Sequence, residues 1–364
     1  MRIDIATLFT DMCDSVIHES IIGRGITNGH IEIYSHDIRE YTENRHRRVD
    51  DKPYGGGTGM VMQAQPVYDC ISAIKAQREG APRIIYMSPQ GETLTQEKVQ
   101  ELAQEPWLIL LCGHYEGIDQ RVLDELDCEE LSIGDYVLTG GELPALVVAD
   151  AVARLQPGVL PNEDAYSIES HYNGLLEYPQ FTRPEEWRGR KVPETLLTGD
   201  HKTVTEWQSR EALRVTRRKR PDMHRAYINA AVRDFWGRFL EVKGLPEDTQ
   251  YSGIRTLAKT EEEVNLELKL ILRGKKRSIA YRCEDDELPE IGGYYIITDL
   301  DGIPKCVLKI IRAYVVEYDG ENIGQVRKIS ADDDFIDWFR EYRDSLNEDD
   351  PVICEEFRLE YKGK

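Results

Sequence analysis

Leu131 to Pro144 reads L-S-I-G-D-Y-V-L-T-G-G-E-L-P. Apolar Ile133, Val137 and Leu138 are interrupted by Gly134, Gly140 and Gly141. Glycines so close together are poor formers of helix or strand, and they let the backbone turn sharply or approach a ligand. The following stretch, Leu143 to Arg154, is apolar with helical character and has Pro144 in a first-turn position. The pattern predicts a buried strand, a glycine turn and a helix, which is where α/β sheets place ligands. A tight turn without a ligand has the same local pattern.

Two further stretches share this grammar. Arg83 to Met87 (R-I-I-Y-M) precedes Ser88-Pro89-Gln90-Gly91, and Trp107 to Cys112 (W-L-I-L-L-C) precedes Gly113-His114-Tyr115-Glu116-Gly117. Parallel strands would bring the three loops to one edge of the sheet. The blocks YMSPQG, LCGHYEGIDQRV and SIGDYVLTGGELPA closely resemble the bacterial tRNA (guanine-N1)-methyltransferase family of the SPOUT superfamily. So do VDDKPYGGGTGMVM (Val49 to Met62) and GLLEYPQFTRP (Gly174 to Pro184), and the resemblance extends from about Met1 to Lys243.

Composition sets the bounds. At 364 residues the chain is too long for one core and predicts two or three domains. A hydrophobic content of 40% with 31% charged residues describes a globular protein. There is no signal-peptide pattern and no membrane-length apolar run. Seven scattered cysteines without a C-x-x-C pair read as reduced core thiols of a cytoplasmic protein. The eight histidines have no metal-ligand spacing, so no dedicated metal site is expected. A net charge of −21 excludes a general polyanion binder, and RNA contact would need local basic patches. Candidates are Arg39 with Arg45-His46-Arg47-Arg48, and the run around Arg210, Arg214, Arg217, Arg218, Lys219, Arg220 and Arg225. Such runs are also what ordinary solvated surfaces look like.

Along the chain, Ile3 to Phe9 and Ile31 to Ser35 predict strands, and Met12 to Ile22, Pro66 to Arg78 and Gln96 to Gln104 predict helices. This alternation predicts a parallel α/β sheet. The loop containing Gly55-Gly56-Gly57-Thr58-Gly59 lacks the Gly-Lys-Ser/Thr ending of a phosphate loop. No G-x-G-x-x-G follows a strand, which counts against a dinucleotide fold and against Rossmann-type methyltransferases. After a polar connector, helical patterns run from Val204 to Leu240, with Trp207, Phe235, Trp236 and Phe239 expected as the core of a small helical domain. Leu245 to Gly253 reads as a linker. Beyond it strands are predicted at Glu263 to Leu272, Gly293 to Asp299, Lys305 to Glu317 and Val352 to Tyr361, with acidic runs at Glu284 to Glu287 and Asp332 to Asp334. Gly274-Lys275-Lys276-Arg277, Leu288-Pro289-Glu290-Ile291-Gly292, Trp338 and Val352-Ile353-Cys354-Glu355-Glu356-Phe357 together resemble an ASCH domain, a PUA-like β-barrel associated with RNA binding. Some small ASCH proteins hydrolyse amides with a Lys and a Thr, but Ile279 stands at the threonine position.

The resemblance implies a deep trefoil knot, an exception to the usual unknotted chain. The expected organisation is a knotted methyltransferase domain at 1–160, a connector at 161–174, a helical tRNA-binding domain at 175–244, a linker at 245–256 and the ASCH domain at 257–364. It implies S-adenosyl-L-methionine held by Tyr86, Ser88, Pro89, Gly113, Tyr115, Glu116, Ile133, Gly134, Tyr136, Leu138, Gly140 and Gly141. It implies tRNA contact at Arg45, His46, Asp50, Gly55, Gly56, Ser170, His171, Arg217 and Arg218, and a homodimer with the active site at the subunit interface. Mg2+, used by family members, would be loosely held or bound to substrate here.

The implied reaction methylates N1 of the guanosine just 3′ of the anticodon. A base must take the N1 proton, and a cation should steady the charge that shifts to O6. Arg154 matches the family arginine in the second role. The family base is an Asp in an Asp-Ser-Phe sequence, whereas Glu169-Ser170-His171 stands here. Glu169 is the expected base, and His171 falls where an aromatic usually packs. Two other classes fit the residues: an RNA-binding adaptor with weak or no catalysis, and a related methyltransferase acting on another RNA site.

Overall fold

A computed structural model describes residues 1–162, 164–282, 288–317 and 351–363. The chain divides into two compact units, Met1–Asn173 and Gly174–Lys364.

In the first unit the elements run β1 (Arg2–Thr7), α1 (Thr10–Ile17), α2 (Ser20–Thr27), β2 (Glu32–Asp37), the short pair β3 (Asp50–Asp51) and β4 (Val61–Met62), then α3 (Ala64–Lys75). They continue through β5 (Arg83–Thr93), α4 (Gln96–Leu102), β6 (Trp107–Cys112), α5 (Gln120–Glu125), β7 (Glu129–Ser132), α6 (Glu142–Ala153) and α7 (Asp164–Ser167). Five strands form one parallel sheet in the order β2-β1-β6-β5-β7, as the alternation predicts.

Burial on both faces explains the unbroken apolar strands. Ile3, Ile5, Leu108, Leu110 and Cys112 face one way and pack with Cys13, Ile17, Val99, Leu102 and Leu146 of α1, α4 and α6. Ala6, Trp107, Ile109 and Leu111 face the other way and pack with Val67, Ile71 and Ile74 of α3 and Val122 and Leu123 of α5. Asp4 is fully buried in β1, where Arg2, His36 and the Trp107 indole all bond its carboxylate at 2.7 to 2.8 Å.

Local details differ from the expectation. The helix predicted from Met12 to Ile22 is two helices, because Ser20 takes a positive φ and the chain doubles back against the His18 carbonyl at Gly23. The strand β5 outlasts Met87: it bulges at 88–91 and rejoins β7 at Glu92 and Thr93. Conversely, β7 stops at Ser132, and Val137 is 81% exposed, so the stretch from Ile133 to Gly141 is loop and not strand.

The second unit begins with a two-stranded hairpin, β8 (Glu186–Trp187) and β9 (Arg190–Lys191). Next come α8 (His201–Lys219) and α9 (Pro221–Lys243), the latter opening on Pro221 and closing on left-handed Gly244. Then follow β10 (Gly253–Thr256), α10 (Glu261–Leu272), β11 (Ser278–Arg282), β12 (Tyr294–Thr298), β13 (Pro304–Glu317) and β14 (Pro351–Lys362). The last five strands make one sheet in the order β10-β12-β13-β14-β11. Arg255 of β10 reaches Glu355 of β14 at 2.8 Å, past two intervening strands, which a curled sheet allows and a flat one does not.

Glu263 to Leu272 is helix and not the predicted strand. Thr260 and Glu263 form a capping box, and Val264, Leu268 and Ile271 recur at helical spacing and are buried. The aromatics of α9 do not close a separate helical core: Phe235, Trp236 and Phe239 pack with Ile296 and Val307 of the sheet. Part of the stretch read as linker supplies β10, and the Trp236 indole donates to the Thr249 carbonyl. The acidic runs at Glu284 to Glu287 and Asp332 to Asp334, with Cys283 and Trp338, lie outside the described residues.

Candidate active site

The bulge of β5 and the loops after β6 and β7 converge, because the strands are parallel and neighbouring. Between them lies a cavity of about 780 Å³, counting its open mouth. All twelve residues expected at the cofactor line it: Tyr86, Ser88, Pro89, Gly113, Tyr115, Glu116, Ile133, Gly134, Tyr136, Leu138, Gly140 and Gly141. Met87, His114, Gly117, Ser132, Thr139 and Pro144 line it as well and were not singled out from sequence. Their signal was only that they interrupt the same quoted blocks.

Glycine is required at several of these points by contact. A Cβ on Gly113 would meet the Tyr86 ring at 2.8 Å, and one on Gly141 would meet the Cys112 Cα at 2.7 Å. The Gly141 N–H donates to the Gly113 carbonyl at 2.8 Å, tying the start of α6 to the end of β6. Gly134 has φ 150°, which L side chains rarely adopt. The result is a cradle walled by backbone, Tyr86 and Tyr136, suited to a flat heteroaromatic group with polar edges. Burial raises the Tyr86 phenol, with the nearby Glu130 charge adding to it, so it stays protonated and can donate.

The glycine-rich loop borders this cavity. Met60 and Met62 bond backbone to backbone with Glu116, Gly117 and Asp119, and Gly59 lies against the Glu116 side chain. Asp50 sits in β3, and Gly55 and Gly56 are exposed with positive φ. Arg45 and His46 are exposed on the loop before it.

At the start of α6, Glu142 is buried and accepts a bond from the Thr7 hydroxyl at 2.8 Å. At the other end stands Arg154, the C-cap residue. Its guanidinium makes a two-point pair with Glu169, Nη1 to Oε2 at 2.6 Å and Nη2 to Oε1 at 2.9 Å. Both side chains are about one-third exposed, at 32% and 35%. The hydrogen bond to Glu169 raises the arginine pKa further. Ser170 and His171 are exposed beside Glu169, and His171 has φ 75°.

The pair is not among the residues lining the cavity. The 12 residues of α6 separate Gly141 from Arg154, a rise of about 20 Å from one cap to the other. Within one chain the cradle and the guanidinium–carboxylate pair therefore sit at opposite ends of α6. Arg217 and Arg218 are exposed on the last turn of α8, in the second unit. Among the described residues no cluster of His, Cys, Asp or Glu has the arrangement of a metal site, and no helix is long and apolar enough to cross a membrane.

Residues 1–226 match the family model described as tRNA (Guanine-1)-methyltransferase TrmD. The chain is similar to the tRNA (guanine-N(1)-)-methyltransferase of Ruminiclostridium cellulolyticum, 55% identical over 223 residues, which is 61% of this chain and 96% of that one. It is 49% identical to the protein of the same name from Lachnospira eligens over 228 residues, 63% of this chain and 97% of that one. For Anoxybacillus flavithermus the identity is 49% over 227 residues, 62% of this chain and 93% of that one.

Proposed function

The chain belongs to the tRNA (guanine-1)-methyltransferase family, an enzyme family, and from that premise we propose its target: N1 of the guanosine immediately 3′ of the anticodon (position 37), in tRNAs where another guanosine precedes it. The observation that carries this reading is the Arg154–Glu169 pair. The N1–H and O6 edge of guanine offers a donor beside an acceptor. A carboxylate and a guanidinium held side by side are its complement.

In the proposed mechanism the guanine edge takes the place of the ion pair. Glu169 accepts the N1 proton and Arg154 donates to O6, where negative charge gathers. S-adenosyl-L-methionine, when bound, supplies an electrophilic methyl group. The cradle suits it: backbone polar groups and two tyrosines would hold the adenine and ribose, and Gly140 and Gly141 let the third loop lie close against His114 and the backbone of Cys112 and Gly113. The role of the chain is to orient the acceptor and move one proton.

The distance between cradle and pair favours a homodimer in which each site takes its cradle from one chain and its pair from the other. The surface supports this. Met12 and Val16 on α1, and Leu143 and Val147 on α6, are exposed apolar residues at i,i+4 spacing on helices that pack together. The knotted arrangement of the three loops, the PUA-like character of the curled sheet and tRNA contact at Arg45, His46, Asp50, Gly55, Gly56, Ser170, His171, Arg217 and Arg218 belong to the same proposal, as does a cytoplasmic location.

Reaction of the full chain with total RNA and methyl-labelled cofactor, followed by mapping of the labelled nucleotide, tests it. Label at N1 of position 37 is the expected result. Label at another RNA position, or none in a single turnover, overturns it in favour of a different target or an idle adaptor.

A further inference from the structure

We propose that the β8–β9 hairpin is a stacking contact for an unpaired base of the tRNA, with Trp187 as the platform and its neighbouring cations on the phosphates. The inference rests on tRNA being the substrate and adds a contact site to it.

Trp187 is 60% exposed, the largest apolar side chain left open on this stretch. Its backbone is held in a paired hairpin. The two strands pair Glu186 with Lys191 and Trp187 with Arg190, and Val192 closes the stem on the Glu185 carbonyl at 2.9 Å. Arg188 and Gly189 form a two-residue turn with φ 53° and 76°, the tight hairpin geometry. The flanks are anchored too: Phe181 and Tyr178 pack on Trp207 of α8, and the turn Glu194–Leu197 packs on the same helix. A rigid ring held in solvent, with the Arg188 guanidinium 5.0 Å over one face, leaves a face for a base.

Charge points to the class of partner. Residues 183–192 carry Arg183, Arg188, Arg190 and Lys191 against Glu185 and Glu186, in a chain of net charge −21. All four cations are exposed, and among the described residues none forms an ion pair. By contrast, Arg210 and Arg214 on α8 and Arg220 just after it each hold a carboxylate. Aromatic faces interleaved with cations are the recognition chemistry of single-stranded nucleic acid.

The test measures affinity of the full-length protein for a substrate tRNA transcript and for a plain RNA duplex of similar length. Trp187→Ala should weaken tRNA binding about tenfold, and Trp187→Phe should keep most of it. The duplex, with its bases already stacked, should show no difference between wild type and Trp187→Ala. Lys191→Gln should lower the slope of log affinity on log salt by about one unit. Equal tRNA affinity for wild type and Trp187→Ala overturns the inference, as does an equal loss on the duplex. Failure of the wild-type protein to methylate tRNA would instead strike the function on which the inference rests.

Discussion

Arg154 and Glu169, fifteen residues apart in sequence, are joined by two parallel hydrogen bonds of 2.6 and 2.9 Å. A carboxylate held this way has both oxygens engaged in charge-assisted hydrogen bonds. The two charges neutralise each other in a half-buried position. In the proposed mechanism guanine releases the pair, its N1–H donating to the carboxylate and its O6 accepting from the guanidinium.

Glu169→Gln should therefore lower the single-turnover methylation rate by about 10²–10⁴-fold while cofactor affinity, read by calorimetry, hardly changes. Glu169→Asp should keep much of the rate. His171→Phe should be tolerated, since the exposed imidazole forms no part of the pair. A dead His171→Phe beside an active Glu169→Gln would assign the base to histidine.

At Gly141, a residue of the glycine turn, a branched side chain would disturb more than the cradle. A Cβ there meets the backbone of Cys112 and Gly113 at 2.7 and 2.9 Å, and backbone cannot rotate aside. Gly141→Val should reduce stability by about 1–3 kcal/mol as well as abolish cofactor binding. Thermal melts of the variant without cofactor would show the drop, and an unchanged melting temperature would confine the effect to the cradle.

With Leu245 to Gly253 read as a linker, a chain ending near Lys243 would keep methylation chemistry and lose only some tRNA affinity. The packing of α9 argues otherwise. Removing the sheet uncovers Phe235, Trp236 and Phe239 together. The truncated protein should aggregate or lose helix, visible as light scattering and reduced far-UV ellipticity. A soluble, fully helical and active truncation would show that α9 finds another partner.

The proposed dimer makes its own prediction. Val147→Glu places a charge in the exposed apolar row shared by α1 and α6. It should convert the dimer to monomer in light scattering and abolish methyl transfer, while each chain still binds cofactor. Full activity in a monomer would remove the need for two chains.

The buried Asp4 carries a pH dependence. Burial alone would raise its pKa, but bonds from His36, Arg2 and Trp107 outweigh this and hold it below the usual carboxylate range. A depressed folded-state value means that its stabilisation is complete above about pH 4 and is lost as pH falls below that. Asp4→Asn should flatten the acid limb of a plot of melting temperature against pH; an unchanged limb would place acid lability elsewhere.

Much of this protein was determined by its sequence alone. Uniformly apolar strands such as Trp107 to Cys112 can only be satisfied by burial on both faces, and the Gly, Ser and Pro after them interrupt the strand, ending β6 after Cys112 and bulging β5 at 88–91. That logic located the sheet and the edge where the three stretches gather, and the family resemblance named the residues that line the cradle. Tertiary structure decided what depends on distant partners. Glu263 to Leu272 carries apolar residues that fit either period, and only the capping box and the surface it covers made it a helix. The aromatics of α9 show no partner in their own sequence, and the curled sheet beyond residue 252 supplied one. The length of α6, legible as a periodic run, set Arg154 about 20 Å from the cradle, but the pairing of Arg154 with Glu169 is a contact across a connector that no local pattern encodes.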